Sequence, residues 1–129
     1  MVKCAGAICY RRGRLLLGLR ASHKSYPLHW DIIGGHIEPG ETPWVALTRE
    51  LSEEIGIDVL AGKHMESWSM IGTLRQPISL HLYLVTNWIG EPAIRNSEHL
   101  ALQWFQPSRA ACLPNLALPR YRAMFRSLI

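Results

Sequence analysis

Glu50, Glu53 and Glu54 stand together in the run Arg49-Glu50-Leu51-Ser52-Glu53-Glu54-Ile55. Wound into a helix at about 100° per residue, the three carboxylates fall within an arc of roughly 100°. Like charges so placed repel, by about a few tenths of a kcal/mol for an i,i+4 pair alone, so a purely structural role explains the cluster poorly. A divalent cation removes the objection. Carboxylate oxygens are the ligands of hard Mg²⁺, which takes one or two of them and completes its octahedron with water and substrate phosphates. Mg²⁺, with Mn²⁺ as substitute, is the expected cofactor, and a phosphate-bearing substrate is implied. Arg49 precedes Glu53 by four residues. It can pair with Glu53, or with Glu41 from the preceding loop, and so orient the ligands rather than react.

The elements that must position these groups are readable in part. Thr42 suits an N-cap, Pro43 the first helical position and Gly56 the left-handed residue after the last turn. Trp44, Leu47, Leu51 and Ile55 gather on an adjoining face to be buried, which leaves the acidic side in water. Trp30 to Ile33 reads as a short strand entering a glycine loop, where Gly34-Gly35 lets the backbone approach metal or phosphate closely. Val2 to Tyr10 and Arg14 to Arg20 read as strands joined by a hairpin at Arg11-Arg12-Gly13. Val59 to Met70 is an irregular strand region, and Ser79 to Val85 alternates as a strand should. Ala101 to Phe105 is a further strand, and Leu118 to Leu128 a terminal helix with Pro119 in its first turn. Strands on both sides of a central helix, without regular alternation, predict a mixed α/β or α+β layered domain.

At 129 residues and 48% hydrophobic content the chain is expected to form a single domain, 1–129. No apolar run approaches the roughly 18 residues that cross a bilayer, and the first residues lead into a strand rather than a signal peptide. The expectation is a cytoplasmic protein with no membrane partner. Cys4, Cys9 and Cys112 form no CxxC pair and read as reduced, buried, inert thiols. Cys4 and Cys9 should point to opposite faces of one strand. The net charge is +4, but the basic residues are dispersed, which argues against a nucleic-acid polymer as partner.

Gly35, five residues, Glu41, seven residues, then Arg49-Glu50-Leu51-Ser52-Glu53-Glu54-Ile55-Gly56-Ile57 resembles the Nudix box at every fixed position. The flanks are similar too: Leu15-Leu16-Leu17-Gly18-Leu19-Arg20, Trp30 before Gly34-Gly35, and Glu98 before Trp104-Phe105. Ile33 departs from the proline common in the family but supplies no ligand. The resemblance implies a Nudix-type α/β/α sandwich around a mixed β-sheet, with the box as loop-helix-loop. It implies a metal-dependent pyrophosphohydrolase that cleaves a phosphoanhydride in a nucleoside diphosphate linked to another moiety. For MutT-like members this is a nucleoside triphosphate, oxidised or not, cut to monophosphate and pyrophosphate. A homodimer is a further family expectation.

Carried over residue by residue, Glu50, Glu53 and Glu54 hold metal, with a backbone carbonyl from Gly34 or Gly35. Glu53, Glu54, Arg49 and Glu98 form the reacting set, Glu54 being the first choice for activating water and Glu98 a further ligand or base. Arg20, Trp30, Glu41 and Asn115 are the substrate-binding candidates, and Tyr26, Trp30, Trp68, Tyr83 or Trp88 could stack on a base. Plainer readings stand beside these: a surface salt bridge for Arg20, a turn for Asn115, core packing for the aromatics, an isolated glutamate for Glu98. The signatures of the ADP-ribose, NADH and coenzyme A groups are absent, which favours small nucleoside triphosphates. The alternative class is a catalytically silent Nudix-like module that senses a nucleotide or binds a protein; the complete carboxylate set argues against it.

Overall fold

Arg12 and Gly13 both have positive φ, 55° and 75°, the backbone twist a two-residue hairpin needs. They join β1 (Val2–Arg11) to β2 (Arg14–Arg20). The computed structural model describes residues 1–129, and from this hairpin it builds a seven-stranded sheet. Its order is β3 (Trp30–Asp31), β2, β1, β6 (Pro77–Ile89), β5 (Asp58–Ile71), with β4 (Ile33–His36) on β1 and β7 (His99–Phe105) on β2. β1 and β6 are parallel and the other pairings antiparallel, so the sheet is mixed.

Alternation along β1 decides the layers. Ala5, Ala7 and Cys9 face Leu47, Leu51 and Ile55 of α1 (Pro43–Ile55). Ile8 faces the other way, into a cluster with Leu17, Leu82, Met124 and Phe125 that is covered by α2 (Pro107–Ala110) and α3 (Tyr121–Arg126). The result is the expected α/β/α sandwich, and Cys4 and Cys9 do lie on opposite faces. No helix is long and apolar enough to cross a membrane.

Several local expectations are corrected. Trp30 to Ile33 is not one strand: Trp30 and Asp31 pair with β2, whereas Ile33 begins β4 on β1. Gly34 and Gly35 therefore lie in a strand, opposite Gly6 and Ala5, and not in a loop. The reason they must be glycine is crowding. A Cβ on Gly34 would stand 2.0 Å from the Ala5 carbonyl oxygen, and one on Gly35 would stand 2.4 Å from the Glu50 carboxyl carbon. The terminal helix is shorter than its sequence pattern, and α2, at four residues, is too short to show periodicity. Cys112 is exposed and Cys4 half-buried, so only Cys9 is the sealed thiol expected of all three.

Because the Gly34 clash is with backbone, no rotamer can relieve it. Gly34→Ala should destabilise the protein by about 3 kcal/mol. A thermal melt is expected to show a midpoint lower by roughly 10 °C.

Candidate active site

Thr42 Oγ1 accepts the Val45 N–H at 3.2 Å, and Gly56 closes the helix with φ 72°. With both ends fixed, α1 presents its acidic residues at set heights above β4. The chain after β6 returns to the same end: Ala93 N–H donates to Ile55 O and Arg95 N–H to Glu54 O, at 3.0 and 2.9 Å. These two bonds carry the backbone towards Glu98. Ala21 N–H then holds the Glu98 carbonyl at 3.0 Å.

Arg49 is the hub of the box. Its Nε and Nη2 grip both oxygens of Glu41 at 2.8 Å, Nη1 reaches Glu50 at 3.0 Å and Glu53 at 3.3 Å, and Nη2 also donates to His36 O at 3.0 Å. These bonds to Arg49 pull the Glu41 carboxyl down to about 2. Glu41 is thus the clamp that orients Arg49, and it lies outside the cavity that Glu50 and Glu98 line. Glu50 is placed over Gly35 by the same arginine. Burial raises its carboxyl above the usual range against the pull of Arg49.

Glu54 differs from its neighbours. It is 2% exposed, and neither oxygen meets a donor. The acidic side of the helix is not uniformly in water, as its sequence spacing suggested, because the turn at Glu54 sits against the returning chain. The carboxyl lies beside that of Glu98, and two neighbouring carboxyls avoid repulsion only when one holds a proton or a cation comes between them. Burial, then the neighbouring Glu98 carboxyl, then the charge of Glu50 push Glu54 up to about 10. The neighbouring Glu54 carboxyl draws Glu98 down, helped by Lys24 Nζ at 3.5 Å. Glu53 stays on the rim, its side chain 58% exposed, paired to Arg49.

No three His, Cys, Asp or Glu side chains close into a metal cage. That arrangement suits an ion which uses one or two carboxylates and completes its shell from water and phosphate. Two orphaned carboxylate oxygens, a second carboxylate over a glycine and a strand edge fit such a cation. β4 pairs only with β1, so one of its two glycines turns its carbonyl to the free edge.

Glu50, Glu98, Gly34 and Gly35 line one cavity of about 390 Å³. Its deeper wall is a buried network that sequence reasoning missed. Asp31 accepts from Tyr121 Oη at 2.7 Å, Arg20 Nη1 at 3.0 Å and the Ile32 N–H at 2.8 Å. Arg20 is held there and by Ser25, so the plainer salt-bridge reading describes its contacts. The signal for Asp31 was an acidic residue within an apolar strand just before the glycine pair. Of the aromatic candidates, Tyr26 lines the cavity. Trp30 packs edge-on against Phe105, Trp68 stacks on Tyr121, Tyr83 leans on Trp44 and Trp88 stacks on Trp104. Asn115 donates to Leu28 O at 3.0 Å and pins the turn, away from the cavity. The structure does not bring Trp30 or Asn115 to the carboxylates.

A family model, the NUDIX domain, matches residues 2–128. Over 114 residues the chain is 34% identical to a CTP pyrophosphohydrolase of Escherichia coli, covering 88% of this chain and 82% of that protein. It is 37% identical over 94 residues to an 8-oxo-dGTP diphosphatase of Haemophilus influenzae, covering 73% and 68% of the two. A MutT NUDIX hydrolase from Burkholderia pseudomallei superposes with a TM-score of 0.86 at 25% identity, covering 99% of this chain and 98% of that one.

A buried carboxyl without a donor destabilises a protein that holds no cation. Glu54→Gln keeps the shape and lets an amide N–H meet Glu98. In chelator, this variant should be more stable than the parent by about 1–3 kcal/mol. Chemical denaturation of the two proteins checks it; an unchanged or lower midpoint would show that the carboxyl is satisfied in some other way.

Proposed function

This chain belongs to the Nudix family and is a pyrophosphohydrolase, and from that membership we propose that it hydrolyses a nucleoside triphosphate to monophosphate and pyrophosphate. The observation that carries this reading is the buried Glu54 carboxyl with two unpartnered oxygens, beside Glu98, which lines the cavity. Water attacks one phosphorus of the α–β anhydride, the bond from that phosphorus to the bridging oxygen breaks, and the oxygen leaves with the other product, giving monophosphate and pyrophosphate. Glu54, Glu50 and a glycine carbonyl would hold a divalent cation, Mg²⁺ foremost, which would supply charge neutralisation and a more acidic bound water.

The remaining work falls to the chain. Glu98 and Glu54 are the groups able to take the water's proton, and because they titrate together the base is the pair. Arg49, clamped by Glu41, keeps Glu50 from swinging away from Gly35. Lys24 offers a cation beside Glu98 for a phosphate oxygen. The nucleoside enters the wall of Tyr26, Ile32 and Asp31, an apolar face beside a fixed acceptor. Its size suits a single nucleoside, and the likeness to CTP and 8-oxo-dGTP enzymes makes those triphosphates the first to try.

Turnover of CTP, 8-oxo-dGTP, the other triphosphates and a dinucleoside tetraphosphate should be compared by pyrophosphate and phosphate release with Mg²⁺. Hydrolysis should concentrate on triphosphates and cease in chelator. Glu54→Gln should lower kcat by roughly 10²–10⁴-fold. Tight nucleotide binding with no turnover, in folded protein with Mg²⁺, would point instead to a nucleotide sensor. Glu41→Gln should lower kcat less, about tenfold, since it removes an orienting contact rather than a ligand.

A further inference from the structure

A second set of metal-binding side chains converges on the sheet, apart from the carboxylate cavity. His64 on β5 and His81 on β6 reach the same atom: His64 Nε2 lies 2.8 Å and His81 Nδ1 2.9 Å from Ser67 Oγ. The two ring nitrogens are therefore within two hydrogen-bond lengths of each other. His64 and Ser67, three apart, would face opposite ways on a regular strand. The β5–β6 register shifts between His64 and Glu66, and that irregularity turns both to one face. His81 shares this face with Tyr83, whose ring meets His64 at 5.3 Å and Trp44 of α1 at 5.3 Å.

Ser67 has one hydroxyl proton. It can donate to one ring and accept from the other, and the ring that accepts its proton must present a bare nitrogen, the form in which histidine binds a metal. Burial, and then the charges of His64 and Lys3, keep His81 below its ordinary value and preserve that form. No carboxylate bonds either ring, so nothing here recruits a hard ion such as Mg²⁺; imidazole pairs suit zinc, copper and nickel. No third His, Cys, Asp or Glu joins them, which leaves water to complete the shell.

We propose that His64 and His81 form a binding site for a divalent transition ion, Cu²⁺ or Zn²⁺, which takes the place of the Ser67 hydroxyl between the two rings. The ion ties β5 to β6 midway along a hairpin whose far end supplies Met70, Gly72, Thr73 and Gln76 to the cavity wall. The site thus bears on the cavity through one hairpin. It stands whatever the substrate is.

The test titrates Cu²⁺ into the full chain in excess Mg²⁺, reading tryptophan fluorescence and the melting midpoint. Wild type should show one saturable quenching event and a raised midpoint. His64→Ala and His81→Ala should each weaken quenching by about tenfold or more and lose the thermal gain. Ser67→Ala should bind within about threefold of wild type, because the hydroxyl is displaced rather than used. Glu54→Gln should titrate like wild type. Histidine variants that titrate like wild type, or loss of quenching in Ser67→Ala or Glu54→Gln, would overturn the proposal.

Discussion

Placing Glu54 where water cannot reach it is the constraint around which this molecule is arranged. An ionised carboxylate loses several kcal/mol of hydration on burial, so the group either holds a proton or meets a cation. Here its partner in the protein is another acid, Glu98. Neither side chain satisfies the other unless a proton is shared. The fold thus keeps two carboxyls in a state that a divalent ion with its bound water can relieve. Under the proposed mechanism such a site is preorganised, its cost carried in the resting protein and relieved on binding and reaction.

The surroundings follow from holding that geometry. Glycine at 34 and 35 lets β4 run close under α1, and the Glu50 carboxyl occupies the space a Cβ at 35 would take. Arg49 spends its donors on Glu41, Glu50, Glu53 and the His36 carbonyl, so one cation restrains the acids that repel each other. The parallel β1–β6 pair sets the centre of the sheet, and the bonds from Ala93 and Arg95 to the last turn of α1 bring the chain back towards Glu98. A pairing distant in sequence is therefore made by backbone that packs on the helix itself.

What the sequence revealed and what it hid divide along physical lines. The helix ends were legible because caps act locally: Thr42, Pro43 and Gly56 each do what their chemistry favours. The clamp of Arg49 on Glu41 was legible as charge spacing. The burial of Glu54 was not, since helical periodicity puts it beside Glu50 and only the returning loop covers it. Trp30 and Asn115 could not be placed from sequence because aromatic and amide side chains serve packing and turns as readily as ligands, and here they make such contacts with Phe105 and the Leu28 carbonyl. In the Asp31, Arg20 and Tyr121 network the acid in an apolar strand is a local sign, but Tyr121 comes from the other end of the chain and no local pattern announces it. Likewise, a strand irregularity at His64 reverses a face that simple alternation would assign.

Diffraction from crystals soaked in Mn²⁺, recorded at its absorption edge, bears most directly on the role of Glu54. The account predicts anomalous density bonded to a Glu54 oxygen, with Glu50 or a glycine carbonyl in the same shell. Density confined to the exposed Glu53, with Glu54 still turned towards Glu98 and carrying no ion, would contradict it.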